Sequence, residues 1–182
     1  MNMEEEVVKS DSKYKGQIID VYKQTVKLPN GELANRDVVK HQNAIAILAF
    51  TNEGKAIFEE QWRTPVGKTT IEIPAGKVED GETYLETAKR ELNEEVRLQS
   101  ADIKKVAGFY SSPGFADEYM VLFTAKDLSP VETKLPQDFG ENLNIFEYSL
   151  DEALTAVKLG KIEDAKTVLA IYYWQANYQA GE

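Results

Sequence analysis

The chain has 182 residues, enough for one well-buried core or a core with a small appended sheet, and too few for two large domains. Its formal net charge of -10 argues against nucleic-acid and anionic-membrane partners, which call for basic surface. With no cysteine there is no disulfide framework, thiolate nucleophile or cysteine-based zinc site. The longest apolar run, Ala44 to Phe50, has strand length, well short of the roughly 20 residues that span a bilayer. Met1-Asn2-Met3 followed by Glu4, Glu5 and Glu6 has neither a basic nor an apolar leader region, so a cytoplasmic location is expected.

Read in chain order, Gly16 to Tyr22 and Asp37 to Val39 are strand-like and flank the turn residues Leu28-Pro29-Asn30-Gly31, which predicts a small antiparallel sheet over residues 1–42. A main domain is expected over 43–182. It opens with a hairpin: Ala44 to Phe50, a turn at Asn52-Glu53-Gly54, then Ala56 to Trp62. A short strand at Ile71-Glu72-Ile73 and a loop at Pro74-Ala75-Gly76 lead into a helix from about Thr83 to Val96. Strands are expected at Ile103 to Tyr110, Glu118 to Ala125 and Leu143 to Tyr148, and helices at Leu150 to Leu159 and Asp164 to Tyr178. Clustered strands with helices in the middle and at the end predict an α/β sandwich with a mixed sheet, not a doubly wound fold.

The chemistry lies in the first helix. Glu91 and Glu95 are four residues apart and Glu94 is three from Glu91, so the three carboxylates can converge on one face. Such a cluster is either a solvated surface or a site for a hard divalent cation, Mg²⁺ or Mn²⁺, which prefers oxygen ligands. The wider spacing separates the two readings. Gly76, five residues, Glu82, seven residues, then Arg90-Glu91-Leu92-Asn93-Glu94-Glu95 resembles the signature box of the Nudix hydrolases across most of its length. The resemblance implies an α/β/α Nudix fold, metal ligands at Glu91, Glu94, Glu95 and the Ala75 carbonyl, and Arg90 and Glu82 as structural partners that hold them in register. One position departs from the pattern: Arg97 stands where the box has glycine, so either the helix runs past Val96 or Arg97 accepts backbone strain.

Three further stretches resemble the ADP-ribose pyrophosphatase subgroup: Gln61 to Gly76, Tyr110 to Glu118 with Pro113 at the subgroup's position, and Glu141 ahead of Leu143-Asn144-Ile145. They imply a nucleoside-diphosphate substrate, ADP-ribose, cut to AMP and ribose 5-phosphate with a divalent cation. Glu141 is the implied base, with Glu118 and Glu95 as alternatives. Arg36, Arg63, Pro113, Gly114, Phe115 and Glu118 are the implied substrate contacts, Arg63 because a guanidinium fork suits phosphate oxygens. A plain Pro-Gly turn at Pro113-Gly114 and solvated arginines are the alternative readings. For adenine, Tyr22, Trp62 and Phe115 are all candidates. His41 is expected at a strand edge rather than on a metal, and Tyr172, Tyr173, Trp174 and Tyr178 in the core or at a dimer contact. The resemblance also implies a homodimer in which the N-terminal sheets exchange. Competing functions are hydrolysis of another nucleotide sugar, a dinucleotide or an oxidised nucleotide, and a module that binds ADP-ribose without cutting it.

Overall fold

The computed structural model describes residues 2–137, 140 and 142–177. It separates into two compact units, one made of Met1–Asn43 with Phe109–Met120 and the other of Ala44–Gly108 with Val121–Glu182.

The first unit is built on an antiparallel sheet of β1 (Glu6–Lys15), β2 (Ile19–Lys27) and β3 (Leu33–His41) in that order. β2 and β3 pair without a break from Ile19↔His41 to Lys27↔Leu33, across the expected turn, which closes with Gly31 N–H on the Leu28 carbonyl at 2.8 Å. β1 is an additional strand that the sequence pattern did not predict. Its residues, EVVKSDSKYK, are exposed along nearly their whole length, so no alternation of apolar and polar positions announces them. The Pro113-Gly114 turn is held on the edge of β3: Val39 N–H donates to the Phe115 carbonyl at 2.7 Å and Asp117 N–H to the Val39 carbonyl at 3.2 Å.

The second unit carries the core. β4 (Ala44–Ala49) is buried at every position, as its unbroken apolar sequence requires of a central strand. β5 (Ala56–Arg63) pairs with β6 (Lys68–Glu72) on one side and with β10 (Asn144–Tyr148) on the other, while β7 (Ala75–Lys77) pairs with β4. β8 (Leu98–Tyr110) and β9 (Tyr119–Pro130) complete the sheet β7-β4-β9-β8, both longer than their apolar runs suggest. Three helices follow the predicted order: α1 (Tyr84–Val96), α2 (Leu150–Lys158) and α3 (Ala165–Asn177). The fold is therefore mixed α/β, with a small N-terminal antiparallel sheet. Ile45, Ile47, Leu48, Phe58, Ile73, Leu92, Leu122 and Ile171 are fully buried, and Trp174 of α3 meets the Phe50 ring edge-on at 5.2 Å. Tyr172, on the opposite side of that helix, is exposed.

Candidate active site

α1 starts where its sequence dictates. Thr83 caps it in a reciprocal box, its hydroxyl accepting from Glu86 N–H while the Glu86 carboxylate accepts from Thr83 N–H. The inward stripe of Thr87, Ala88, Glu91, Leu92 and Glu95 is buried, so two of the three candidate ligands lie on the core side of the helix. The solvated-face reading is thereby excluded for Glu91 and Glu95.

The short β7 strand meets that stripe. Ala75 N–H donates to Glu95 Oε2 at 3.1 Å, and the Glu91 carboxylate lies against Gly76 so closely that a Cβ built there would fall 1.7 Å from Oε1. Gly76 is therefore required by proximity: any side chain would push Glu91 off the loop. Arg90 then ties the carboxylates together. Its Nη1 donates to Glu91 Oε1 at 2.7 Å and Glu94 Oε2 at 2.8 Å, and its Nη2 donates to the Lys77 carbonyl at 2.9 Å.

The other side of the Arg90 guanidinium holds Glu82, with Nε on Oε1 at 2.9 Å and Nη2 on Oε2 at 3.1 Å. Thr87 Oγ1 and Glu79 N–H add hydrogen bonds to Oε2. The Arg90 hydrogen bonds, above all, hold the Glu82 carboxyl down at about 2 and raise the arginine in return. Glu82 thus stays ionised and fixes the guanidinium whose opposite edge orients Glu91 and Glu94.

The donor set suits the group that the box implies. Glu91, Glu94, Glu95 and the Ala75 carbonyl offer oxygen alone, the chemistry that Mg²⁺ and Mn²⁺ prefer. Among the described residues, no three acidic or imidazole side chains are gathered closely enough to hold a metal ion as they stand. A cation would share the Glu91 and Glu94 oxygens with Arg90, which supplies the positive charge between them here.

Arg63 sits elsewhere in the same unit. Its Nε and Nη2 grip Glu72 at 2.7 and 2.8 Å, and Lys166 of α3 reaches the same carboxylate. Burial pushes the Glu72 carboxyl up, but the Arg63 hydrogen bonds and the Lys166 charge outweigh it and hold the group at about 2. Thr167 and Asp164 complete this network: Thr167 Oγ1 accepts Ile73 N–H at 2.9 Å and donates to Asp164 Oδ2 at 2.6 Å. These residues brace Ile73, just before the Pro74-Ala75-Gly76 loop. Sequence reasoning did not single out Lys166, Thr167 or Asp164. The available signal was one lysine inside the apolar run of α3.

In the first unit, Arg36 forms a two-pronged pair with Glu5, Nε on Oε2 at 3.0 Å. Glu118 faces His41, with Oε1 3.4 Å from Nδ1, and Asp117 accepts from His41 N–H at 3.0 Å and Lys40 Nζ at 2.7 Å. His41 is the last residue of β3, at the expected strand end. Phe115 is 57% exposed and, in the second unit, Trp62 is 62% exposed. Glu141 and Tyr178 lie outside the described residues.

At the far end of α1 the chain departs from its box. The helix stops at Val96, and Arg97 takes the left-handed conformation with φ 62° and ψ 28°, its N–H returning to the Asn93 and Leu92 carbonyls. A side chain there costs about 1 kcal/mol relative to glycine, so strain, and not an extended helix, is what the sequence change brings.

Comparison with known proteins agrees with this geometry. Residues 40–170 match the family model described as NUDIX domain. The chain is 43% identical over 174 residues to an ADP-ribose pyrophosphatase of Bacillus subtilis (strain 168), covering 96% of this chain and 94% of that protein. It is 41% identical over 172 residues to a methanol dehydrogenase activator of Bacillus methanolicus, covering 94% and 93%. A crystal structure titled as that of an ADP compounds hydrolase superposes with a TM-score of 0.85 over 98% of each chain at 17% identity, a likeness of fold. With the box, the buried carboxylate stripe and near full-length relatives in agreement, the chain belongs to the NUDIX family.

Proposed function

We propose that the protein hydrolyses the diphosphate linkage of ADP-ribose to AMP and ribose 5-phosphate, with Mg²⁺ or Mn²⁺ held by Glu91, Glu94, Glu95 and the Ala75 carbonyl. The observation that carries this reading is the packing of the α1 carboxylate stripe onto the Ala75-Gly76 backbone, with Glu91 against Gly76 and Glu95 on Ala75 N–H. The near full-length likeness to an ADP-ribose pyrophosphatase supports the substrate. A bound divalent cation would act as a Lewis acid toward the diphosphate and make water a competent nucleophile near neutral pH.

The chain's own groups do the rest. A carboxylate takes the proton of the attacking water as the new P–O bond forms and the bridging P–O bond breaks. Glu141 is proposed for this role from its place in the sequence, with Glu95 and Glu118 as the other candidates. Glu82 and Arg90 hold Glu91 and Glu94 in place. Arg36, Arg63, Pro113, Gly114, Phe115 and Glu118 are proposed as substrate contacts. For Arg63 this means contact from a guanidinium already gripping Glu72, at its 43% exposed surface. A homodimer is part of the reading, checked by light scattering on the intact protein.

The test is turnover of ADP-ribose against a panel of nucleotide sugars, dinucleotides and nucleoside triphosphates with either cation, beside Glu95→Gln. ADP-ribose is expected to be cut best, and the variant to lose about a thousandfold. A better substrate elsewhere in the panel keeps the Nudix chemistry and changes the substrate. No cation-dependent turnover of any compound would sink the hydrolase reading. The likeness to the methanol dehydrogenase activator supports a second reading, action on a dehydrogenase partner. Stimulation of a purified alcohol dehydrogenase that survives Glu95→Gln would favour it.

A further inference from the structure

Two positions at the end of α1, Asn93 in its last turn and Arg97 at its C-cap, both reach the same piece of chain. Asn93 occupies the unspecified place of the box between Leu92 and Glu94, and Arg97 replaces the box glycine. The Asn93 amide grips the segment after β9 twice: Nδ2 donates to the Thr133 carbonyl at 2.9 Å, and Oδ1 accepts Leu135 N–H at 2.9 Å. The Arg97 carbonyl accepts Val131 N–H at 3.2 Å, while its Nη1 donates to the Leu135 carbonyl and, at 3.3 Å, to the Asn93 carbonyl. Glycine at 97 would supply the left-handed cap and the carbonyl, but nothing that reaches Leu135. The guanidinium also sits beside the helix's C-terminal carbonyls, where a cation is favoured.

We infer that Asn93 and Arg97 form a clamp that fixes residues 131–135 to the end of the carboxylate helix, and that Arg97 is a positioning residue for turnover. The clamp keeps the left-handed turn at residue 97, adds side-chain contacts to it and couples two elements. One is the helix that carries Glu91, Glu94 and Glu95. The other is the segment of residues 131–135 that follows β9. Because the amide, the guanidinium and the helix end hold successive backbone groups, the segment leaves α1 in one direction. The inference rests on the hydrolase reading, because turnover is one of its readouts. The other readout does not depend on it.

That second readout is proteolysis. Trypsin cleaves after Lys134, whose neighbours Thr133 and Leu135 are the clamped residues. In the full-length protein, Arg97→Gly keeps the cap backbone and removes the fork, and Asn93→Ala removes the amide. Loss of the charge-assisted Arg97 hydrogen bond, or of the two neutral Asn93 hydrogen bonds, corresponds to about tenfold in the local opening equilibrium. Both variants are therefore expected to be cut at Lys134-Leu135 about tenfold faster under native conditions, followed by mass spectrometry. Arg97→Gly is also expected to lower kcat for ADP-ribose about tenfold with KM within about twofold of wild type, at an unchanged melting temperature. Cleavage at the wild-type rate in both variants overturns the clamp. Faster cleavage with wild-type kcat overturns the positioning role, as does a fall of kcat that merely tracks a lower melting temperature. If the wild-type protein turns over no nucleotide, the proposed function fails while proteolysis still decides the clamp.

Discussion

Arg90 and Arg63 each grip one glutamate with two guanidinium nitrogens, and the two clasps brace opposite sides of the Pro74-Ala75-Gly76 loop through different parts of the fold. The Arg90–Glu82 clasp is made by one helix and the turn before it. Its side chains remain 17% and 20% exposed, and its remaining guanidinium edge points to Glu91 and Glu94. The Arg63–Glu72 clasp joins neighbouring strands, and Lys166 of α3 closes it from the core side, leaving Glu72 only 3% exposed. Burial sets their different duties. The Glu72 side is an anchor for the fold, where an unmatched charge has nowhere to go. The Glu82 side holds the guanidinium that links Glu91 and Glu94, close enough to water that losing it costs the fold little.

The largest effect expected from this contrast is on stability at Glu72. Glu72→Gln leaves the Lys166 ammonium buried with Asp164 as its remaining charged neighbour, 3.0 Å away. Removing one partner of a buried pair costs about 3–5 kcal/mol, to be read as a fall in unfolding free energy by urea denaturation at neutral pH. A loss below about 1 kcal/mol would place Glu72 in the same class as a surface pair and break the comparison.

Glu82→Gln is expected to do the reverse. Its stability cost is about 1 kcal/mol, while the Arg90 guanidinium loses the carboxylate that aims it. Loss of such a supporting partner typically costs about 10–100-fold in metal affinity or activity. The measurement is the Mg²⁺ or Mn²⁺ concentration for half-maximal turnover, beside a melting curve. A variant that melts far below wild type yet keeps its cation dependence would show that Glu82, too, serves the fold.

The same contrast marks what could be read from sequence. The box positions were legible because they follow one another along a helix and its preceding loop, where 3.6-residue geometry converts spacing into neighbourhood. Thus Glu91, Glu94 and Glu95 could be read as neighbours before any fold was known, while Glu82 and Arg90 joined them only through the resemblance to the Nudix box. The hairpin of β4 and β5, the later strands β8, β9 and β10 and the three helices were legible from apolar runs of strand length and amphipathic stretches. β7 was not: Pro74-Ala75-Gly76 reads as a loop, and the pairing of Ala75–Lys77 with β4 carries no apolar alternation. Lys166 and Thr167 were not, because their partners Glu72 and Ile73 lie 94 residues away, and no local periodicity encodes that meeting. β1 stayed hidden because a strand without a buried face has no alternation to show. Arg97 was visible as a departure from the pattern. Its reach to Leu135 needed the path of the chain after β9, which sequence does not supply.

The smallest effect is a difference in acid sensitivity, and its sign follows from the two carboxyls. Both Glu72 and Glu82 are held at about 2 in the folded protein, below the ordinary value of 4.5 that the unfolded chain restores. Between those limits the unfolded state takes up protons that the folded state refuses. The stability each group supplies is therefore complete above pH 4.5 and drains away as pH falls toward 2. For buried Glu72 the full shift is worth about 3 kcal/mol. Glu82 contributes less, since solvent screens its clasp. An exposed acid away from both clasps, such as Glu152, titrates alike in all variants and cancels. Urea midpoints at pH 7, 4.5 and 3 should therefore fall with acid in wild type and Glu82→Gln. Glu72→Gln should start lower and fall less, by up to the proton uptake of one carboxyl, about 1.4 kcal/mol per pH unit. If the two variants instead lost stability in parallel as pH fell, the burial of Glu72 would not be what distinguishes the clasps.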